Sequence, residues 1–157
     1  MQKRRRGFSM IELIVMMVVI GILAMVAIPK LTASRDDAEA AVCAQEVDRL
    51  IKEISSHYKK VGFNEFKNTS ISKISNVAVS SNATRGLQKD GTVHDASLEY
   101  VCDGEKIVKF SGSFTSSEAT YKLSIQTLTG STPASNQAIL AIKKNILNGK
   151  ESKAFKL

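Results

Sequence analysis

The sequence lacks tryptophan entirely and has only two prolines, two cysteines and two histidines in 157 residues. Aromatic residues make up 6% of it, so a core must rest on Ile, Val, Leu and Ala, with six Phe and three Tyr as its largest pieces. A chain of this length suits one domain of about 100 to 200 residues with an appendage, which excludes a large multidomain enzyme. His57 and His94 have no second His or Cys at ligand spacing, and no activated Ser or Cys arrangement is visible. The residues therefore predict no catalytic centre, no metal and no cofactor.

Acidic residues are also the minority charge. Twenty-two Lys and Arg against 15 Asp and Glu give +7, but Lys3, Arg4, Arg5 and Arg6 supply four of those positives in one run. Without that run the excess is three, so the basic balance says little about nucleic-acid binding by the rest of the chain.

What is present in excess is one apolar block. Between Phe8 and Pro29, Glu12 is the only charge and Ser9 the only other clearly polar side chain. As a helix this block would span roughly 33 Å, enough to cross a hydrocarbon core of about 30 Å. The basic run before it stays cytoplasmic by the positive-inside rule, which sends the residues after Lys30 across the membrane. A cleaved secretory signal is the rival reading. A cut after Ala27 or Ala24, however, would put Met25 or Ile22 where a small side chain is expected.

Glu12 is the anomaly, because a carboxylate inside an apolar helix costs roughly 2.5 to 3.5 kcal/mol. Either it lies close enough to the cytoplasmic face to reach headgroups or water, or a specific partner compensates it. Lys3-Arg4-Arg5-Arg6-Gly7, followed by Phe8-Ser9-Met10-Ile11-Glu12-Leu13 and an apolar helix, resembles the type IV pilin-like prepilins. That family includes type IV pilins, the pseudopilins of type II secretion systems and related subunits of DNA-uptake machines. Ser9 and Met10 stand where Thr and Leu are commoner.

The resemblance implies that a membrane-embedded prepilin peptidase cuts between Gly7 and Phe8 and methylates the new N-terminus on Phe8. It implies that Glu12 pairs with the N-terminal amine of a neighbouring subunit during assembly, a role without catalysis. Gly21 and Pro29 match positions where family helices often carry Gly and Pro. They make the stretch between them either a segment that unwinds when subunits pack, or a simple kink with Gly21 as a close-packing position. The family's calcium site is not expected: after Glu105 only Glu118 and Glu151 remain, and among Asp90, Asp95, Glu99, Asp103 and Glu105 two precede Gly and read as turn residues.

Beyond Lys30 an amphipathic helix continues, with Ala38, Val42, Val47, Leu50, Ile51, Ile54, Tyr58 and Val61 at three- and four-residue steps and Gly62 as the stop. Its opposite surface carries Asp36, Asp37, Glu39, Glu46, Asp48, Arg49, Lys52 and Glu53. Residues 64–97 are rich in Ser, Thr and Asn, with one short element around Ile71, Ile74, Val77 and Val79. Three strands follow, over Leu98–Cys102, Ile107–Phe110 and Tyr121–Ile125, with turns at Asp103-Gly104 and Ser111-Gly112. Thr132-Pro133 starts a C-terminal helix striped by Ile139, Ile142 and Ile146 and stopped by Gly149.

The fold expected is α+β: a long N-terminal helix packed on a small antiparallel sheet, with a short C-terminal helix. Its parts are a leader (1–7), a transmembrane helix (8–29), an amphipathic continuation (30–61) and a globular head (62–157). Cys43 shares a face with Val47 and Leu50, and Cys102 alternates with Tyr100 and Leu98. They are either bonded, tying helix to sheet, or two buried free thiols.

The function expected is a structural subunit of a type IV pilus or type II secretion pseudopilus. Glu12 argues against the tip subunit of a pseudopilus, which in the family often lacks that acid. Its partners would be the prepilin peptidase, copies of itself, related pilin-like subunits and an inner-membrane assembly platform. Its location would be the bacterial inner membrane, with the head on the periplasmic side, and then a filament. The alternative is a DNA-binding subunit of a natural-transformation apparatus, with Lys143, Lys144, Lys150, Lys153 and Lys156 contacting phosphates.

Overall fold

The computed structural model describes residues 7–79, 84–94, 98–115 and 120–157. The basic run from Lys3 to Arg6, Asp95 and Glu118 lie outside them. The chain divides into two compact units, Met1–Arg35 and Asp36–Leu157.

The helix α1 (Met10–Phe66) begins in the first unit. Its apolar side chains from Met10 to Leu31 are exposed, and α1 contains a window long and apolar enough to cross a membrane, none of it buried within the protein. The backbone stays helical through Gly21 and Pro29.

In the second unit α1 is amphipathic and buries Ala40, Cys43, Val47, Leu50, Ile51 and Ile54. The expected stripe is corrected at its start, since Ala38 and Val42 are exposed and Ala40 and Cys43 take the inward positions. Gly62 also does not end the helix. It breaks it with φ 73° and ψ 176°, values open to glycine, and one further helical turn follows to Phe66. That turn brings Phe63 and Phe66 back onto the core: Phe63 stacks on Phe114 with ring centroids 3.7 Å apart, and Phe66 meets Tyr121 edge-on at 5.1 Å.

A single turn, α2 (Ile71–Ile74), and a two-residue strand, β1 (Gly86–Leu87), follow. The main sheet strands are β2 (Leu98–Cys102), β3 (Glu105–Thr115) and β4 (Thr120–Thr127), then α3 (Pro133–Asn145) and β5 (Ser152–Lys156). All neighbours are antiparallel in the order β1-β2-β3-β4-β5. Asp103 and Gly104 turn β2 into β3, both with positive φ. The turn expected at Ser111-Gly112 is absent, and both residues lie inside β3 opposite Ser124 and Leu123. Gly112 is there because the Tyr121 ring crosses it, so that a Cβ at this position would collide with the phenol oxygen.

Thr132 caps α3, its hydroxyl accepting from the Ser135 N–H at 3.2 Å, with Pro133 in the first turn. α3 ends at Asn145, short of Gly149. The chain then turns through Asn148 and Gly149, both at positive φ, into β5. One buried cluster joins α1, the sheet's inner face and α3 through Leu50, Ile54, Phe110, Leu123, Ile125 and Ile142. The architecture is thus a long helix on a small antiparallel sheet with a short helix added, an α+β fold.

Candidate functional site

Gly7, Phe8 and Ser9 precede the first helical turn and are exposed, Phe8 retaining 76% of its accessible surface. Ser9 occupies the N-cap position and Glu12 is the third helical residue. The Ser9 N–H donates to Glu12 Oε2 at 2.8 Å, and the Leu13 N–H donates to the Ser9 carbonyl at 3.2 Å. This is the return half of a capping box, in which an acid satisfies a backbone donor that the helix leaves free. The carboxylate also sits at the positive end of the helix dipole. The Ser-x-x-Glu spacing was visible in the sequence and assigns Ser9 a part that composition alone does not.

The helix then presents apolar side chains on every side up to Leu31. A Cβ on Gly21 would meet nothing within 4 Å, so the single chain leaves that position open to a close neighbour. Pro29 supplies no backbone donor to the preceding turn, and in the following one the Thr32 hydroxyl bonds the Ile28 carbonyl at 3.2 Å. A lone helix this apolar and this exposed must bury itself in lipid or against other helices.

A family model for the prokaryotic N-terminal methylation motif matches residues 2–28. The chain carries the signature of the type IV pilin-like prepilins. No curated protein and no solved structure matches it. The match covers the leader, the Gly7-Phe8 junction, Glu12 and most of the apolar helix of this prepilin-like chain.

In the head, Cys43 on α1 and Cys102 on β2 form a disulfide with Cα atoms 6.0 Å apart and both residues fully buried. Beside it, Glu46 is half-buried and turned to the sheet, which corrects its expected place on the polar surface. Its Oε2 accepts from the Tyr100 hydroxyl at 2.6 Å and its Oε1 pairs with Arg85 Nε at 3.3 Å. Burial first, then the carboxylate of Glu46, keeps the Tyr100 phenol protonated well above its ordinary range.

Glu105 makes a second tie, at the start of β3. Its carboxylate accepts from the Ser131 hydroxyl, from the Ser135 hydroxyl at 2.6 Å, and from the N–H groups of Ser131 and Thr132 at 2.6 and 3.2 Å. Those bonds, the hydroxyls first, hold its carboxyl at about 2. Gly130 leaves the room, since a Cβ there would meet the Ser135 side chain.

The other acids weighed for a metal are dispersed. Asp90 binds Ser72 through its backbone N–H and hydroxyl at 3.0 and 2.7 Å, and Glu99 pairs with Lys106 at 2.8 Å. Among the described residues no group of three His, Cys, Asp or Glu is placed to hold a metal ion. The lysines weighed for phosphate contacts are not grouped as one free patch either. Lys143 pairs with Glu151 at 3.3 Å, and Lys153 bonds the Ile146 carbonyl at 3.2 Å and lies over the Phe155 ring.

Proposed function

We propose that this chain is a prepilin-like structural subunit, cut between Gly7 and Phe8 and N-methylated on Phe8 by a prepilin peptidase. It then assembles through the first part of α1 into a type IV pilus or a type II secretion pseudopilus. The observation that carries this reading is the methylation-motif match over residues 2–28, on a helix whose apolar surface has no partner within the chain.

Before cutting, the basic leader and the apolar helix anchor the subunit in the bacterial inner membrane with the head outside the cytoplasm, where the Cys43–Cys102 bond persists. Cutting removes four positive charges and creates an amine about one helical turn from Glu12. The carboxylate of one subunit and the amine of another then neutralise each other in an apolar setting, where either alone is costly. Gly21 and Pro29 supply the close approach and the weakened turn that packing of such helices requires. The partners are the peptidase, further copies of this chain or related subunits, and an inner-membrane assembly platform.

The test is the intact mass and N-terminal fragment spectrum of the protein from its native membranes. A chain starting at Phe8 with one added methyl group is expected. A chain starting at Met1, or near Ile28 as after an ordinary signal peptidase, overturns the reading.

A further inference from the structure

The outer face of the sheet, opposite the core, carries side chains that are half-buried or exposed and arranged by register into three rows. The middle row is Ser111, Ser124 and Ala154, all small. One bank is Lys109, Gln126 and Ser152, and the other is Ser113, Lys122 and Lys156. The banks are four residues apart along each strand, about 13 Å, and the floor crosses three strands at about 4.8 Å each. Over the floor and the Lys109 bank lies a trough of about 410 Å³.

Its electrostatics are one-sided. Among the described residues neither Lys109 nor Lys122 makes an ion pair, and no acid stands in the three rows. Glu99, opposite Lys109 in the register, is engaged by Lys106 at 2.8 Å. The floor offers the hydroxyls of Ser111 and Ser124, with the Gln126 amide beside them, and no aromatic side chain belongs to any row.

We propose that this trough binds a single chain of an acidic polysaccharide, a polyuronate, lying across the strands. A banked floor this wide admits one polymer chain. Its hydroxyls and amide hydrogen-bond sugar hydroxyls, and lysines on both banks reach carboxylates set along the polymer. Single-stranded nucleic acid is the poorer fit, because sequence-tolerant strand binding relies on aromatic platforms on which bases stack. The trough lies wholly within residues 109–156, and its occupancy needs no filament.

The test is fluorescence anisotropy of the full-length protein in detergent with a labelled oligouronate, a neutral dextran of equal length and a single-stranded oligonucleotide of equal charge. At about 20 mM salt the oligouronate binds and the dextran does not, and binding weakens as salt rises. Replacing Lys109 and Lys122 by Ala together weakens binding about tenfold. The equally charge-depleting pair Lys144→Ala and Lys150→Ala leaves it unchanged. Ser124→Gln fills the floor without altering charge and weakens binding on its own. No oligouronate binding at low salt, equal losses from the two lysine pairs, or tighter binding of the oligonucleotide would each overturn the proposal.

Discussion

Glu105 accepts bonds from the loop and first turn that begin α3, and a carboxylate held at about 2 is a statement about stability. Its folded pKa lies below the ordinary carboxylate value of about 4.3, so its contribution is present above that value. It is lost as pH falls through the window from about 4.3 to about 2. Asp90 adds in the same direction, its carboxyl lowered chiefly by the Ser72 hydroxyl. In the wild type, hydrogen exchange at the α3 amides should accelerate across that window. In Glu105→Gln it should already be faster at pH 6 and depend less on acid, while amides of β3 and β4 change little. Equal protection of α3 in both proteins at pH 6 would refute the tie. Tyr100→Phe tests the second tie: it removes a donor from a half-buried carboxylate and should cost about 1.5 to 3 kcal/mol in a urea titration.

At the scale of elements, what the sequence disclosed depended on whether a pattern was local. The buried face of α1 and the strands β2 and β4 follow three- and two-residue periods that each segment carries itself, and the Thr132-Pro133 start of α3 is a local cap. β1 is two residues long and β5 reads Ser-Lys-Ala-Phe-Lys, with no apolar alternation strong enough to mark a strand. Both exist because a neighbour offers backbone partners, as Leu123 pairs with Phe155. Ser111-Gly112 misled for a related reason: the glycine answers a crossing tyrosine from the next strand, a contact invisible in one segment. The disulfide joins two such elements across 59 residues, a closure the chain-entropy model values at about 4 kcal/mol. The Cys43→Ser, Cys102→Ser double variant should therefore lower the urea midpoint of the head sharply, and reductant should do the same to the wild type alone. A midpoint within a few tenths of molar urea of the wild type would remove the bond's stabilising role.

At the scale of the whole molecule, Glu12 can serve either of two ends, and one pair of substitutions separates them. Within a single chain its carboxylate accepts from the Ser9 N–H, and glutamine fills that capping position nearly as well. Between chains it would neutralise the amine exposed at Phe8, which needs a negative charge and which glutamine cannot supply. If capping were the whole role, Glu12→Gln would behave as wild type and only Glu12→Val would fail. If inter-subunit pairing drives assembly, both variants should reach the membrane with α1 intact by circular dichroism. Both should still lose most of the sedimentable polymer, because bringing an unpaired ammonium into an apolar bundle costs several kcal/mol per subunit. The measurement is the polymer fraction after shearing and centrifugation, read beside the N-terminal mass so that a processing defect is not mistaken for an assembly defect. Wild-type levels of polymer from Glu12→Gln would reduce Glu12 to a helix cap and leave the apolar surface of α1 as the sole drive for polymerisation.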